Sequence, residues 1–230
     1  MSTTFYTAVG RFEKRSNGCG RSCPVIVLHQ QEYMVDMQEM VIWAALNWRI
    51  SKPEDIERLY EASEARVCIS TARTCVECVR RLVTRGLVVS GSGDTDFDAL
   101  YDLLNSLYII PATGSFPLRL FSFLKLTLWN RVPFSAAKKL LRKDNRSAEE
   151  AQVMSLARQA LLSTAELIKC AERQVTDLST GDKLMAALYD DADTTSDNIG
   201  SLMRVSPCKE PVTVAVANLY LRQQIIFERI

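Results

Sequence analysis

The sequence lacks long hydrophobic runs. Its longest apolar stretch, residues 118–129, is interrupted by Arg119 and Lys125 and falls short of the roughly 20 residues that a membrane-spanning helix needs. The N-terminal segment has no apolar core followed by a small-residue cleavage site, which predicts that the protein is not exported. We therefore expect a folded, soluble, cytoplasmic protein without a membrane partner.

Residues typical of catalysis are also scarce. The sequence contains 1 histidine, His29, and has no Gly-x-Ser-x-Gly motif, glycine-rich phosphate loop or His-Glu-x-x-His motif. A single histidine beside a predicted strand is more often structural than catalytic. The sequence therefore predicts that the protein is not an enzyme and has no cofactor.

The cysteines give only weak signs of a metal or redox site. There are 7, an odd number in a chain without an export signal, which favours reduced and mostly buried thiols. Cys75 and Cys78 form a C-x-x-C pair without a second pair, and Cys19, Cys23 and His29 lack a fourth ligand. We expect no metal site, although a zinc or redox role for these cysteines stays open.

One acidic segment has the alternating oxygens of a calcium loop. It covers residues 190–197, but Leu202 stands where an EF-hand needs its glutamate. An exposed, capped loop between helices is the better interpretation.

The composition is that of a globular protein with segregated charge. Apolar residues make up 47% of the 230 and charged residues 24%, enough for two small domains with cores of their own. The net charge is only +1, but basic residues gather at 70–86 and 115–143 and acidic ones at 94–102 and 190–197. This segregation predicts one positive face on the folded protein.

The first half of the chain alternates strand and helix patterns. Residues 3–12 and 24–28 read as strands around a Gly/Ser-rich loop, and helices are predicted after the N-caps Asp36 and Ser51. A third helix is predicted over 70–85, ended by Gly86. Its inward positions would be Ala72, Cys75, Val76, Val79, Leu82 and Val83.

After this helix the pattern changes again. Residues 87–89 predict a strand, 90–93 a glycine turn, 94–104 a short acidic helix and 107–110 a strand closed by Pro111. The segment 112–115 then separates two predicted domains. Beyond it only helical patterns occur, namely 117–130, 133–143, 147–175, 180–190, 196–204 and 211–229.

The fold class predicted from these patterns is mainly α with a small β component. We expect an N-terminal strand and loop extension over 1–24, a domain over 25–111, and an all-α dimerisation or effector domain over 116–230.

The order strand, helix, helix, basic helix, strand, glycine turn, strand between residues 25 and 110 resembles the winged-helix DNA-binding superfamily. Within it, residues 70–88, S-T-A-R-T-C-V-E-C-V-R-R-L-V-T-R-G-L-V, look like the recognition helix and first wing strand of bacterial regulators of the MarR and PadR kind. The resemblance covers about a third of the chain. It implies that the helix 70–85 enters the major groove of double-stranded DNA.

The resemblance assigns DNA-contacting roles along this helix. Small or hydrogen-bonding side chains near its start would reach base edges, and arginines further along would hold phosphates. The candidate residues are Ser70, Thr71, Arg73, Thr74, Glu77, Arg80, Arg81 and Arg85. The acidic insert after residue 93 departs from the usual basic wing, so recognition would rest on the helix alone.

The segment 115–143 contains seven basic residues and no acidic one. It could be a second DNA-contacting surface, an amphipathic stretch on anionic lipid, or a core and dimer helix whose basic side chains reach solvent.

Three functions agree with these features. The first is a homodimeric bacterial transcriptional regulator that reads an operator half-site, with a possible small-molecule effector. The second is a non-catalytic protein-interaction adaptor that keeps the fold, and the third is a plasmid or phage replication initiator. The residues name neither the operator, nor the effector, nor the direction of regulation.

Overall fold

The structure of the chain, a computed structural model, describes residues 2–16, 22–67, 73–112 and 146–229. It is a mixed α/β protein, about 49% helical, with small antiparallel sheets. In the described part of the chain, no helix has the length and apolar character needed to span a bilayer.

Four strands come first. They are β1 (Thr3–Ala8), β2 (Arg11–Ser16), β3 (Ser22–Leu28) and β4 (Gln31–Met34). Strands β2, β3 and β4 form an antiparallel sheet. His29 and Gln30 join β3 to β4 with positive φ angles of 50° and 61°, as a type I′ hairpin turn requires.

Three helices and a strand follow. They are α1 (Met37–Leu46), α2 (Pro53–Val67), α3 (Cys75–Thr84) and β5 (Val88–Gly93), and then come α4 (Asp96–Leu104) and β6 (Tyr108–Pro111). Asp36 caps α1 as predicted, in a capping box with Glu39. Proline at the first position of α2 also agrees with its preference for helix starts.

The last described region contains helices and two strands. In order they are α5 (Ala148–Ala157), β7 (Leu162–Ser163), α6 (Thr164–Glu172), α7 (Gly181–Leu188), α8 (Ile199–Leu202), a 3₁₀ turn (Met203–Val205), α9 (Lys209–Leu221) and β8 (Ile225–Glu228). The prediction that the second half is all-α is therefore wrong, because β7 and β8 flank β6 in an antiparallel sheet.

The prediction of a single helix over 147–175 is also wrong, because two helices occupy this range. Ser147 does start α5, but the chain leaves the helix after Ala157, and Ser163 caps α6 in a second capping box with Glu166. The helix predicted over 211–229 also ends early, at Leu221. Gln223 there has a φ of 59°, and the β-branched residues that follow form β8.

One arrangement of elements occurs twice in the chain. The first unit consists of β1, α1, α2, α3 and β5, and its strand β1 lies between Ser51 and β5. The second unit consists of β6, α5, β7, α6–α9 and β8, and its strand β6 lies between β7 and β8. Equivalent backbone bonds extend the match: Val9 N–H donates to Leu87 O at 3.1 Å, and Ala112 N–H donates to Gln224 O at 2.8 Å.

The two units also share a buried ion pair. Glu39 in the first turn of α1 accepts from Arg85 Nη1 at 2.9 Å, and Glu150 in the first turn of α5 accepts from Arg222 Nη1 at 3.0 Å. Arg85 is the C-cap of α3, which precedes β5, and Arg222 is the C-cap of α9, which precedes β8. The side chains of the two glutamates are only 1% and 3% exposed.

The hydrophobic core runs through both units. It includes Trp43, Leu82 and Tyr101 from the first half and Leu167 and Phe227 from the last region. β8 pairs with β6, so core and sheet both continue across the predicted boundary at 112–115. β1, inside the predicted N-terminal extension, is a central strand.

Candidate functional site

The helix predicted to bind DNA begins later than expected. Thr74 has an extended backbone and caps α3, accepting from the backbone N–H of Glu77, so the helix starts at Cys75 instead of after Ser70. The Glu77 carboxylate in turn accepts a hydrogen bond from the Thr74 backbone N–H at 2.9 Å. Ser70, Thr71 and Ala72 lie outside the described residues. The side chains of Thr74 and Glu77, both predicted to contact DNA, therefore form the N-terminal capping box of α3.

The inward face of α3 also differs from the prediction. Cys75, Cys78 and Leu82 are buried, whereas Val79 and Val83 are half-buried. Val76, predicted to point inward, is 64% exposed. Val76 shares a helix face with Val79 and Val83, three and seven residues further on, and this face is less covered than the face of Cys75, Cys78 and Leu82.

Three of the predicted DNA-contacting arginines are held by carboxylates of the protein itself. Arg81 Nε donates to Glu39 Oε1 at 2.6 Å, and Arg85 Nη1 donates to Glu39 Oε2 at 2.9 Å. Arg73 pairs with Asp36 at 2.5 Å and lies 3.8 Å from Glu39. Three guanidinium groups, one just before α3 and two at its C-terminal end, thus meet two carboxylates, which offset most of the positive charge along the helix.

The pKa of Asp36 reflects this arrangement. Partial burial would raise it, but the backbone N–H of Glu39 and the guanidinium of Arg73 both donate to the carboxylate and hold its pKa below the usual value. Arg85 has two further partners, the Met34 carbonyl oxygen at 2.5 Å and the ring of Tyr33 at 5.9 Å. This cluster fastens α3 to α1 and to the end of β4.

An open groove lies on the other face of α3. Its volume is about 450 Å³, and its lining comes from β1, α2, α3 and β5. The apolar side chains are Tyr6, Pro53, Ile56, Cys75, Val76, Val79 and Val83, and the polar ones are Glu54, Glu57, Arg80 and Ser90.

The groove carries opposite charges on its two helices. Glu54 and Glu57 stand on α2 and Arg80 stands on α3, and all three are exposed. In the part of the chain that the structure describes, none of the three forms an ion pair. The groove therefore combines accessible apolar surface with charges that remain available to a partner.

The remaining candidate residues have structural roles or lie outside the described ranges. Cys75 and Cys78 are buried, and burial raises the pKa of the Cys78 thiol, which disfavours the reactive thiolate. His29 is exposed in its hairpin turn. Cys19 and the basic segment 115–143 are outside the description. Over the described ranges, no group of three or more His, Cys, Asp or Glu is placed to hold a metal ion.

The acidic segment 190–197 binds basic side chains of α6. Asp191 accepts from Lys169 at 2.7 Å and Arg173 at 3.0 Å, and Asp190 accepts from Arg173 at 2.5 Å. Lys169 is only 5% exposed and also donates to the Leu188 carbonyl oxygen and to Thr194. These contacts give the segment the role of a capped connection between helices.

Sequence reasoning missed the residues that decide the electrostatics of α3. The sequence predicts Asp36 only as a helix cap, and nothing in it marks Glu39, because a glutamate in the first turn of a helix is ordinary. The available signal was weak: a glutamate three residues after an N-cap is held by the capping box, which fixes where its carboxylate points.

A scan against protein-family models, a search of curated proteins and a search of solved structures each found no match.

Proposed function

We propose that this chain is a non-catalytic protein-interaction module that binds an amphipathic segment of a partner protein in the groove between α2 and α3. The observation that carries the proposal is the pairing of Arg73, Arg81 and Arg85 with Asp36 and Glu39. This pairing engages three of the four arginines on which phosphate binding by α3 would depend, and it leaves the apolar groove on the other face of the helix open.

The ion pairs oppose a DNA-reading role for α3. If Arg81 and Arg85 turned to phosphates, the Glu39 carboxylate would stay behind, 1% exposed and without its main partners. Leaving a buried charge unpaired costs several kcal/mol, of the order of 3–5 kcal/mol. Glu54 and Glu57 on the neighbouring helix would repel phosphate in addition.

The groove offers the chemistry of a peptide site. Exposed Val76 and half-buried Val79 and Val83 present apolar surface, and covering this surface with a partner removes it from water, which favours binding. The charges set the orientation of the partner, with its basic residues toward Glu54 and Glu57 and an acidic one toward Arg80.

The DNA-binding regulator predicted from the sequence is the second candidate. What favours it is the order of elements, since three helices followed by a strand occur in the first unit as the winged-helix resemblance implies. Homodimerisation through the C-terminal helices and a replication role stay predictions.

Selection of random peptides on the full chain tests the proposal. We expect the selected peptides to share apolar residues beside Lys or Arg. They should lose at least about tenfold in affinity, or 1.4 kcal/mol, for the variant Val76→Glu. The matched control is Val214→Glu, which changes an exposed valine of α9 in the second unit.

Two results would contradict the proposal. One is a set of peptides whose affinity is the same for Val76→Glu and for the wild type. The other is binding of selected DNA duplexes that weakens with salt and is lost when Arg80 and Arg81 are replaced, which would favour the regulator.

A further inference from the structure

A second cavity lies beside α1, away from the groove. Its volume is about 640 Å³, and it is bounded by β2, by α1 with the two residues that follow it, and by β8. Its walls are predominantly apolar, formed by Phe12, Met40, Trp43, Trp48 and Ile226. Phe12 is 43% exposed, so one aromatic ring stands at the mouth. A concave, aromatic-rich cavity of this volume is typical of small-molecule sites.

Trp48 enters this wall with an unusual backbone. Its φ is 55°, a left-handed conformation that a bulky aromatic residue rarely adopts. Two hydrogen bonds hold Trp48 in place, because its backbone N–H donates to Tyr220 Oη at 2.9 Å and its indole N–H donates to the Ile225 carbonyl oxygen at 3.3 Å.

The second unit shows that the fold does not require this strain. There, residues 158–161 make the equivalent connection between α5 and β7 with the same number of residues, and none of them has a positive φ. The left-handed Trp48 is therefore specific to the first unit, where its side chain lines the cavity. Strain of about 1–3 kcal/mol that the surroundings maintain is typical of functional positions.

One polar side chain in the lining has no partner. Among the described residues, the Asn47 amide takes part in no hydrogen bond, although it lines the cavity and is half-buried. Arg11, at the rim, pairs with Glu13 at 2.9 Å, and Glu13 also pairs with Arg15 at 3.1 Å. The cavity thus offers one free amide, with a donor and an acceptor, beside a rim whose charges are paired.

We propose that this cavity binds an uncharged, planar aromatic small molecule that carries a hydrogen-bond donor next to an acceptor. The indole of Trp48 and the ring of Phe12 contact the faces or edges of the ligand, and the Asn47 amide meets its donor and acceptor together. Paired rim charges disfavour an ionic ligand, which would find no free counter-charge there. This site is independent of the peptide groove.

Binding of quinolin-2(1H)-one, which has this chemistry, to the full chain is the test. We expect saturation-transfer NMR to report binding at about 1 mM or tighter. Methylation of the ring nitrogen, which removes the donor, should weaken binding about tenfold, and Asn47→Ala should weaken the parent compound by a similar factor and abolish the preference.

Two matched variants place the site. Ala44→Phe fills the cavity from an exposed position of α1 and should abolish binding. Ser155→Phe, at the equivalent exposed position of α5, should leave binding unchanged. Circular dichroism of both variants checks that they fold.

Three outcomes would overturn the inference. They are absence of binding to the wild type, equal binding of the parent and N-methyl compounds, and undiminished binding to folded Ala44→Phe. If instead sedimentation shows an oligomer that Ala44→Phe dissociates, a second copy of the chain covers the cavity and the small-molecule site is excluded.

Discussion

Among single residues, Glu39 has the most partners in the first unit. Its carboxylate completes the capping box of α1 and accepts from two arginines of the α3 end while its side chain is only 1% exposed. Those arginines remain partly exposed, so water reduces the strength of each pair. Glu150 has the same position in the second unit with one arginine partner, Arg222.

Replacement of Glu39 by glutamine should therefore destabilise the protein. We expect Glu39→Gln to lower the free energy of unfolding by about 2 kcal/mol, because it leaves two guanidinium groups without their charged partner. Urea denaturation measures this change. Glu57→Gln, on the exposed face of α2, is the control and should stay within about 0.5 kcal/mol of the wild type. Equal stability of the two variants would contradict a structural role for the ion cluster.

At the scale of elements, two glycines determine how β5 meets α4. A Cβ added at Gly91 would lie 2.1 Å from the Leu103 backbone nitrogen, and one added at Gly93 would lie 2.5 Å from the Ala99 nitrogen. This explains why the predicted glycine turn at 90–93 is wrong: the glycines continue the strand and allow a helix backbone to approach it. The two strands predicted on either side of this turn do not pair with each other, since β5 pairs with β1 and β6 with β7 and β8.

Alanine at Gly91 should consequently disrupt the packing of α4 on β5. We expect Gly91→Ala to cost more than about 3 kcal/mol of unfolding free energy, since the obstructing atoms belong to the backbone and cannot change rotamer. Thermal unfolding followed by circular dichroism gives the effect. Gly181→Ala is the matched control, because nothing lies within 4 Å of its added Cβ and its φ is not positive; it should be neutral or slightly stabilising. A wild-type Tm for Gly91→Ala would refute the close approach.

The connection after α7 gives a prediction about pH. The Lys169 ammonium and the Thr194 hydroxyl hold the pKa of the Asp191 carboxyl well below its ordinary value of 3.8. A lowered folded-state pKa contributes stability that is complete above the unfolded-state pKa and is lost as the pH falls toward the folded-state value.

Asp191→Asn should thus be less stable than the wild type at pH 7, and the difference should narrow as the pH falls below about 4. Urea unfolding at a series of pH values measures it. Asp193→Asn, in the same segment but without a side-chain partner among the described residues, should show no such dependence. A gap that does not change with pH would rule out this ion pair as the cause.

At the scale of the whole molecule, Tyr220 joins the two units. Its hydroxyl donates to the Ala8 carbonyl oxygen at 3.1 Å, accepts from the Trp48 N–H at 2.9 Å and lies 2.9 Å from Thr7 Oγ1. Burial raises the pKa of Tyr220 to about 12, so this hydroxyl keeps its proton at neutral pH. Its ring stacks on Phe227 with centroids 4.1 Å apart.

Because these contacts cross between the units, we expect the whole described core to unfold in one transition. Tyr220→Phe should lower the unfolding free energy by about 1–3 kcal/mol, since it leaves buried backbone groups without a partner. Tryptophan fluorescence and far-ultraviolet circular dichroism should still report coincident transitions. Tyr33→Phe is the control, because among the described residues the Tyr33 hydroxyl bonds to Gln31 alone, near the surface. Two separate transitions in the wild type would support independent domains instead.

Much of the local structure was predictable, since its causes lie within a few residues. The caps at Asp36 and Ser147 set the starts of α1 and α5, and the β-branched residues before Pro111 form β6 as predicted. The capping box at Ser163 is equally local, but the apolar spacing of residues 147–175 continues through it and favours a single longer helix. The presence of the same arrangement in two units could not be predicted, because the units have hydrogen-bond register and an ion pair in common but little similarity in sequence.

The amino-acid sequence by itself determined where α1 and α5 start, which residues are apolar, and how many positive charges lie along residues 73–85, because caps and side-chain chemistry act over three or four positions. Only the tertiary structure decided where those charges go. Arg81 and Arg85 meet a glutamate 42 and 46 residues earlier in the chain, and such pairing depends on how α1 packs against α3. A positive helix in the sequence thus becomes a largely neutral one in the fold.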